Sequence, residues 1–519
     1  VRDTLTKLDR PTIYEIYPRS FRDTTGTGEG DLAGILNGLD HVAALGVDAI
    51  WIAPFYPSPR ADGGYDVTDH CAVDSRLGTL EDFDHIVEKA HALGLGVMVD
   101  LVLKHTSLDH PWFVAAVEGD DTAAARYVWR DAKPDGTAPT NWISYFGGPA
   151  WTWNHKRRQY YLHQYASEQP ALDHRNPDVQ AEIRAIMDFW TARGVDGFRF
   201  DAVTSWFHDP DFRDNPAAPP DERSRIEGLP FNPYTHQFHR HDMMPQEGAA
   251  HMARIRDWAG PDVFLMGENN FGIASVEIAL EYTGPERLDA CYTTDTVKCG
   301  AGLAVWDELL SAINGTWRLP WWFESHDQAR SPTQLGDGTA AAARFLALLG
   351  GVLPGALMLY QGQELGLPQP HLDRKDVEDP YDLAFWPDGP GRSGARVPIP
   401  WTEAPGTWGF TDGTPWLPMR WAPGASIAAQ EADPDSALAF QRKVLKLRRA
   451  LELARPERFA HDTADGVLRL EMETGAGRFV AGFNFCDQAR PVPEGGEVVL
   501  SSGVDNGQMR PRGAVLRRA

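Results

Sequence analysis

Gly197-Phe198-Arg199-Phe200-Asp201-Ala202 follows a helix-like run over residues 181–192 and a turn, Arg193-Gly194-Val195-Asp196. The stretch reads as a short buried strand that ends on a carboxylate. Residues two apart share a face of a strand, so Arg199 and Asp201 point one way and Phe198 and Phe200 the other. In a barrel, the C-terminal end of a strand is where the chemistry is done. An arginine beside the carboxylate favours its ionised form and fixes its orientation. A structural ion pair at a strand end fits this stretch equally well, so its surroundings must decide.

Outward from this strand, similar units repeat. Apolar strand candidates lie at 13–17, 49–53, 96–101, 263–268, 290–293, 321–324 and 356–360, which with 197–201 makes eight. Helical patterns at 32–45 and 80–93 separate the early ones. Continuous apolar strands alternating with helices indicate a parallel sheet covered on both faces. No glycine-rich phosphate fingerprint follows the first strand, which weakens a dinucleotide fold. Eight units favour a (β/α)8 TIM barrel, of class α/β.

Two insertions break the alternation. Residues 104–171 are rich in Trp and Tyr and read as a small domain inserted after strand three. Residues 362–434 are rich in Pro and Gly, with Trp386, Trp401, Trp408, Trp416 and Trp421, and read as a long ordered excursion after strand eight. A basic helix at 437–453 would close the barrel. From 454 the pattern changes to period two, as in Val467-Leu468-Arg469-Leu470-Glu471-Met472, which predicts a C-terminal antiparallel β-sandwich. The domains are then 1–103 and 172–453 for the barrel, 104–171 for the insertion and 454–519 for the β domain.

The chain has 519 residues, 42% of them hydrophobic, more than one core usually holds. It has 18 Trp, a costly way to fill a core; aromatic faces pack well on sugar rings, although ordinary core and surface packing accounts for most of them. A net charge of −24 argues against nucleic acid and anionic membrane surfaces as partners. The cysteines Cys71, Cys291, Cys299 and Cys486 lack metal-ligand spacing and read as reduced thiols. No stretch is apolar enough to span a membrane and the start carries no signal-peptide core, so a cytoplasmic location is expected; a secreted chain after signal removal would read the same. Nothing in the sequence specifies an oligomeric state.

Polar residues gather at the strand ends. Asp100 and His105 flank the end of strand three, Arg199 and Asp201 end strand four, Glu268 ends strand five, and His326-Asp327 follows strand seven. Asp66 lies in the loop after strand two, in Gly63-Gly64-Tyr65-Asp66. In a closed barrel these sites converge on one rim. They contain no metal triad and no Gly-x-Ser-x-Gly elbow.

On these residues the chain resembles the α-amylase family of glycoside hydrolases, and within it the oligo-1,6-glucosidase and α-glucosidase branch. The motifs are Asp100-Leu101-Val102-Leu103-Lys104-His105, then residues 197–202, then Gly267-Glu268, then Ser325-His326-Asp327, in the family's order. Gln169-Pro170-Ala171-Leu172-Asp173 and the stretches 14–21 and 391–401 also look like the branch. The resemblance implies a retaining double displacement on a small glucoside or oligosaccharide. Asp201 would be the nucleophile, Glu268 the acid and base, and Asp327 the third carboxylate, which holds sugar hydroxyls. His105, Arg199 and His326 would bind or order the reacting subsite. Asp66 and Arg396 would pair to close the pocket, which would make the enzyme exo-acting. Ala202, where the branch has Val in α-1,6 enzymes, implies preference for α-1,4 bonds as in maltose, with transglucosylation as a side reaction. A glucosyltransferase or sucrose-cleaving enzyme is the alternative on the same scaffold. A non-catalytic transporter-accessory or binding homologue is the remote one, since such relatives lose a carboxylate that this chain keeps.

Three departures from the family stand out. Lys104 replaces the usual Asn, and Ser393 replaces the Asp of Arg-Asp-Gly. The loop that binds Ca2+ or Mg2+ in the branch is reduced here to Asp23, Thr25, Thr27, Glu29 and Asp31. A hard cation wants six or more oxygens and usually several charges, so at most a weak metal site and no required cofactor are expected.

Overall fold

The computed structural model describes residues 8–272, 274–298, 302–313 and 315–519, so Cys299 lies outside the described residues. Seven parallel strands form one curled sheet: β1 (Thr12–Ile16), β2 (Ala49–Ile52), β3 (Gly96–Leu101), β4 (Gly197–Phe200), β5 (Phe264–Asn269), β6 (Ala290–Thr293) and β7 (Leu357–Tyr360). Their order is β7-β1-β2-β3-β4-β5-β6. The strand expected at 321–324 is instead a single bridge from Trp321 to Leu357. Pro320 just before it has no N–H to give to a ladder. The segment still spans the gap between the sheet edges. Trp321 accepts from Met358 N–H of β7 at 2.8 Å and donates to Ala356 O, just before β7, at 2.9 Å, while Arg318 O accepts from Cys291 N–H of β6 at 3.1 Å. The barrel is closed by seven strands and one irregular stave.

Period two along these strands builds two cores. Ile13, Trp51, Met98, Met266, Tyr292 and Met358 point inward and fill the barrel with Trp322. Their neighbours Tyr14, Ile50, Val97, Phe198, Leu265 and Leu357 face the surrounding helices. Gly197 lets β3 and β5 approach β4: a Cβ there would stand 2.7 Å from Phe264 O and 3.0 Å from Met98 Cγ.

Local signals set the helices. Asp31 caps Leu32–Leu45, with Gly46 in the left-handed region at its end. Thr79 and Asp82 form a capping box on Leu80–Ala92. Asn176 caps Pro177–Ala192, whose first residue is proline. The basic helix runs Ala437–Ala450 and lies on Ala340–Val352.

After β3 come two short helices, Pro111–Val117 and Asp121–Ala124, and a three-stranded antiparallel sheet. The excursion after β7 is anchored by its tryptophans. Trp401 Nε1–H donates to Phe21 O at 2.6 Å and Trp421 Nε1–H to Pro398 O at 2.9 Å. The C-terminal strands, from Arg458–Asp462 to Gln508–Arg518, are all antiparallel and belong to one connected sheet of six. Leu468, Leu470 and Met472 alternate inward along one strand. Phe345 of the helix Ala340–Val352 meets Phe483 and Phe485 edge-on at 5.6 and 5.1 Å. Among the described residues no helix is long and apolar enough to cross a membrane.

Candidate active site

Arg199, fully buried inside the barrel, is the hub of the rim. Its Nη1 lies 2.9 Å from Asp100 Oδ1 and 2.7 Å from Asp201 Oδ1, and its Nη2 lies 2.7 Å from Glu268 Oε2. Nε and Nη2 also donate to the Tyr292 hydroxyl at 3.0 and 2.8 Å. Strand period two puts Arg199 beside Asp201, and parallel pairing puts β3 and β5 on either side of β4. One guanidinium therefore holds carboxylates from three neighbouring strands. Ala202, just past β4, sits at φ 46° and ψ 44°, where a non-glycine residue is strained. In this conformation its N–H donates to Glu268 Oε2 at 3.1 Å.

The carboxylates differ in electrostatics. Burial pushes Glu268 up to about 7, with Arg199 opposing and Asp201 and Asp327 adding to the rise. Burial also lifts Asp201, to about 6, against the pull of Arg199. Asp327 goes the other way: its desolvation is outweighed by Arg392, His326 and Arg396, which hold it well below the usual carboxylate range. Near neutral pH the site thus pairs an ionised Asp201 with a Glu268 close to half-protonated.

Asp327 is gripped from one side. Its Oδ1 lies 2.9 Å from Arg392 Nε and 2.8 Å from Arg396 Nη2. Its Oδ2 lies 3.3 Å from His326 Nε2. His326 is stacked between Tyr17 and Tyr65, at 5.9 and 5.2 Å, and its Nδ1 bonds to the Glu15 carboxylate of β1. Burial lowers the imidazole pKa, but the Asp327 and Glu15 carboxylates outweigh it and raise the pKa above the ordinary value. His105 is different: burial lowers it to about 3, so it is neutral. Its Nε2 faces the Tyr65 carbonyl at 2.8 Å and therefore carries the proton.

The pair expected between Asp66 and Arg396 is not formed. Asp66 is fully buried and accepts from Ser58 Oγ–H at 2.8 Å, Ala61 N–H at 2.9 Å and Asp62 N–H at 3.2 Å. It ties its own loop together. Asp62, four residues earlier, reaches the cavity instead and meets Arg392 Nη2 at 3.1 Å. Gln169, from the Gln-Pro segment, steadies Asp62 through an Nε2–H bond of 3.0 Å. Arg396 stands one helical turn after Arg392 and lies behind it, against Asp327 and Asp379. The sequence offered two aspartates in one loop and two arginines one turn apart, and nothing local distinguishes the members of either set.

A cavity of about 270 Å³ opens over these groups. Asp62, Arg392 and Asp327 wall one end, and Asp201 and Glu268 stand within it. Aromatic rings also line it, Tyr145, Phe146, Tyr165 and Tyr381; Phe146 and Tyr381 stack at 5.1 Å, and the Arg392 guanidinium lies over the Phe146 ring at 5.5 Å. These aromatics come from the two insertions, where sequence periodicity is silent. Lys104 lies buried behind the rim, its Nζ without a hydrogen-bond partner among the described residues. Burial pushes its ammonium down to about 7, with Asp173 and Asp242 opposing.

In the loop at 23–31 the carboxylates meet partners of the protein itself. Asp23 accepts from the N–H groups of Thr25, Gly26 and Gly28 and from the Thr411 hydroxyl. Asp31 accepts from Thr24 and Gly34, and Glu29 pairs with Arg19 and Arg60.

Similarity to known proteins agrees with this geometry. The family described as alpha amylase, catalytic domain, matches residues 15–455. A probable alpha-glucosidase of Rhizobium meliloti (strain 1021) is 43% identical over 492 residues, covering 92% of this chain and 89% of the relative. An oligo-1,6-glucosidase of Heyndrickxia coagulans is 35% identical over 491 residues, covering 86% and 85%. The crystal structure of the alpha-glucosyl transfer enzyme XgtA superposes with a TM-score of 0.92 at 38% identity, covering 99% of this chain and all of that one. With a barrel rim on which one buried arginine holds Asp100, Asp201 and Glu268, and with these relatives along nearly its whole length, the chain belongs to the α-amylase family of glycoside hydrolases.

Proposed function

We propose that the protein is a retaining, exo-acting α-glucosidase that acts on short α-glucosides, with α-1,4 bonds preferred. The observation that carries this is the sharing of Arg199 by Asp201 and Glu268, at 2.7 Å each, in a cavity walled at one end by Asp62 and Arg392. Asp201 attacks the anomeric carbon as Glu268 gives its proton to the leaving glycosidic oxygen, so a carboxylate–sugar bond forms while the old bond breaks. Glu268, now ionised, then takes a proton from water, whose oxygen attacks the same carbon and releases Asp201. Asp327, held ionised, keeps Oδ2 for sugar hydroxyls. The Asp62–Arg392 wall leaves room for a single sugar beyond the cleaved bond, which is the basis for exo action. His105 and His326 line that end. The absence of any metal-dependent step and a cytoplasmic location go with this reading; Cys71, Cys291 and Cys486 are free thiols.

A second reading is glucosyl transfer to an acceptor other than water. The aromatic wall of Tyr145, Phe146, Tyr165 and Tyr381 favours it, because it offers a dry face where an acceptor ring can displace water. Product analysis on maltose, isomaltose and sucrose, with Glu268→Gln as the blank, separates the readings. Glucose released chiefly from maltose, as the α-anomer at first, supports the hydrolase. Longer glucosides with little free glucose support the transferase. A β-anomer as first product would end the retaining mechanism.

A further inference from the structure

Behind the arginine wall stands a carboxylate that the reaction does not touch. The Asp379 side chain is 2% exposed and does not line the cavity. Its Oδ2 lies 3.1 Å from Arg396 Nη1 and 3.3 Å from Arg392 Nε. Its Oδ1 accepts from Tyr381 N–H at 3.0 Å and Asp382 N–H at 2.9 Å, capping the helix Pro380–Ala384. One oxygen serves the backbone and the other serves both guanidiniums.

The placement has a directional consequence. Arg392 and Arg396 both lean on Asp327 Oδ1, and Arg392 reaches on to Asp62. Two buried like charges side by side repel, and an anion on the side away from the cavity offsets that repulsion. Arg396 is the C-cap of the helix Arg392–Ala395, one turn after Arg392, so an anion at the back favours both guanidiniums facing forward. We propose that Asp379 is a positioning residue: it holds Arg392 and Arg396 against Asp327 and Asp62, and so sets how tightly the closed end of the pocket binds a glucose unit. This rests on the glucoside reading of the pocket.

Asparagine separates this role from the helix cap. Asn caps a helix as well as Asp does. Its single oxygen can serve the backbone, but its amide then turns N–H donors toward two guanidiniums that are themselves donors. Asp379→Asn is therefore expected to keep the helix cap while weakening D-glucose binding, measured by calorimetry, at least about tenfold, with a lowered melting temperature because two buried guanidiniums lose an anion. KM for a nitrophenyl α-glucoside should rise by a similar factor, with kcat within about threefold, because the lost contact holds substrate and transition state alike. D-glucose affinity and KM equal to wild type would overturn the proposal. So would an equal loss in kcat with KM unmoved. If Asp379→Asn does not fold, Asp379→Ser, which also caps, takes its place; failure of both to fold assigns Asp379 to folding alone and overturns the positioning role. If the wild type neither turns over the glucoside nor binds D-glucose, it is the glucoside reading that fails.

Discussion

Replacing Arg199 with methionine removes the buried cation that three carboxylates share. Asp100, Asp201 and Glu268 each lose a contact of 2.9 Å or less. An opposite charge at such a distance depresses a carboxyl pKa by roughly 1–3. Asp201, already near 6, would then move to about 8 on the middle of that range. At pH 7 its ionised fraction falls from about nine-tenths to about one-tenth, a loss of roughly tenfold in nucleophile before any loss of geometry. The acidic limb of kcat/KM against pH should move with it, from about 6 to about 8.

Stability supplies an independent reading. A carboxyl whose folded pKa is raised above its unfolded value stabilises the fold fully below the unfolded pKa, and that contribution is lost as pH rises through the folded one. For Asp201 the variant extends this loss from about pH 6 to about pH 8, which is roughly 2.7 kcal/mol from this group alone. Urea unfolding at pH 5.5 and pH 8 should therefore show the variant falling behind wild type by about that much more at the higher pH. Arg199→Lys keeps a cation but cannot fork to two carboxylates. Its acidic limb should return toward that of wild type while kcat/KM stays low. An acidic limb that stays put in Arg199→Met, with a stability gap independent of pH, would refute the electrostatic account and leave Arg199 as packing.

Three further outcomes are expected. Glu268→Gln should abolish the alkaline limb near pH 7 that its own titration supplies, along with most turnover; a limb that persists would assign the acid to another group. Ala202→Gly should raise stability by about 1 kcal/mol in urea unfolding, since its φ of 46° suits glycine, and Ala202→Val should lower it, because a branched side chain fits that region worst. Asp62→Ala should raise KM for maltose with kcat little changed, whereas Asp66→Asn should cost about 1–3 kcal/mol of stability through its loop hydrogen bonds and leave KM alone; the reverse result would restore Asp66 to the pocket.

How much of this was legible in the sequence follows from where each signal lives. Six of the seven strands predicted besides 197–201 form in the sheet, because a buried parallel strand is an unbroken apolar run that needs no partner to be recognised. The seventh, 321–324, is apolar too, but Pro320 keeps its backbone from a full ladder, and a barrel needs only the hydrogen bonds of Trp321 and Arg318 to close there. Asp201 and Glu268 could be named because each ends a strand, and strand ends of a barrel all reach one rim. Glu15 escaped notice for the opposite reason. It reads as one polar residue in the first strand, and its function depends on His326 standing over it, more than three hundred positions later.

The arginine wall shows the limit more sharply. Asp62 and Asp66 share a loop, and Arg392 and Arg396 share a helical turn. Residue type and spacing give each member the same chance of reaching the pocket. What separates them is backbone direction: the Gly63-Gly64 turn has both residues at positive φ, and it leaves Asp66 under the loop and Asp62 above it. Asp379 Oδ2 faces both arginines, and only Arg392 reaches on to Asp62 at the pocket. A pocket's chemistry can be read from the few residues that meet the substrate. Its affinity is set by the layer behind them, where identity counts less than which atom of a side chain is already spoken for.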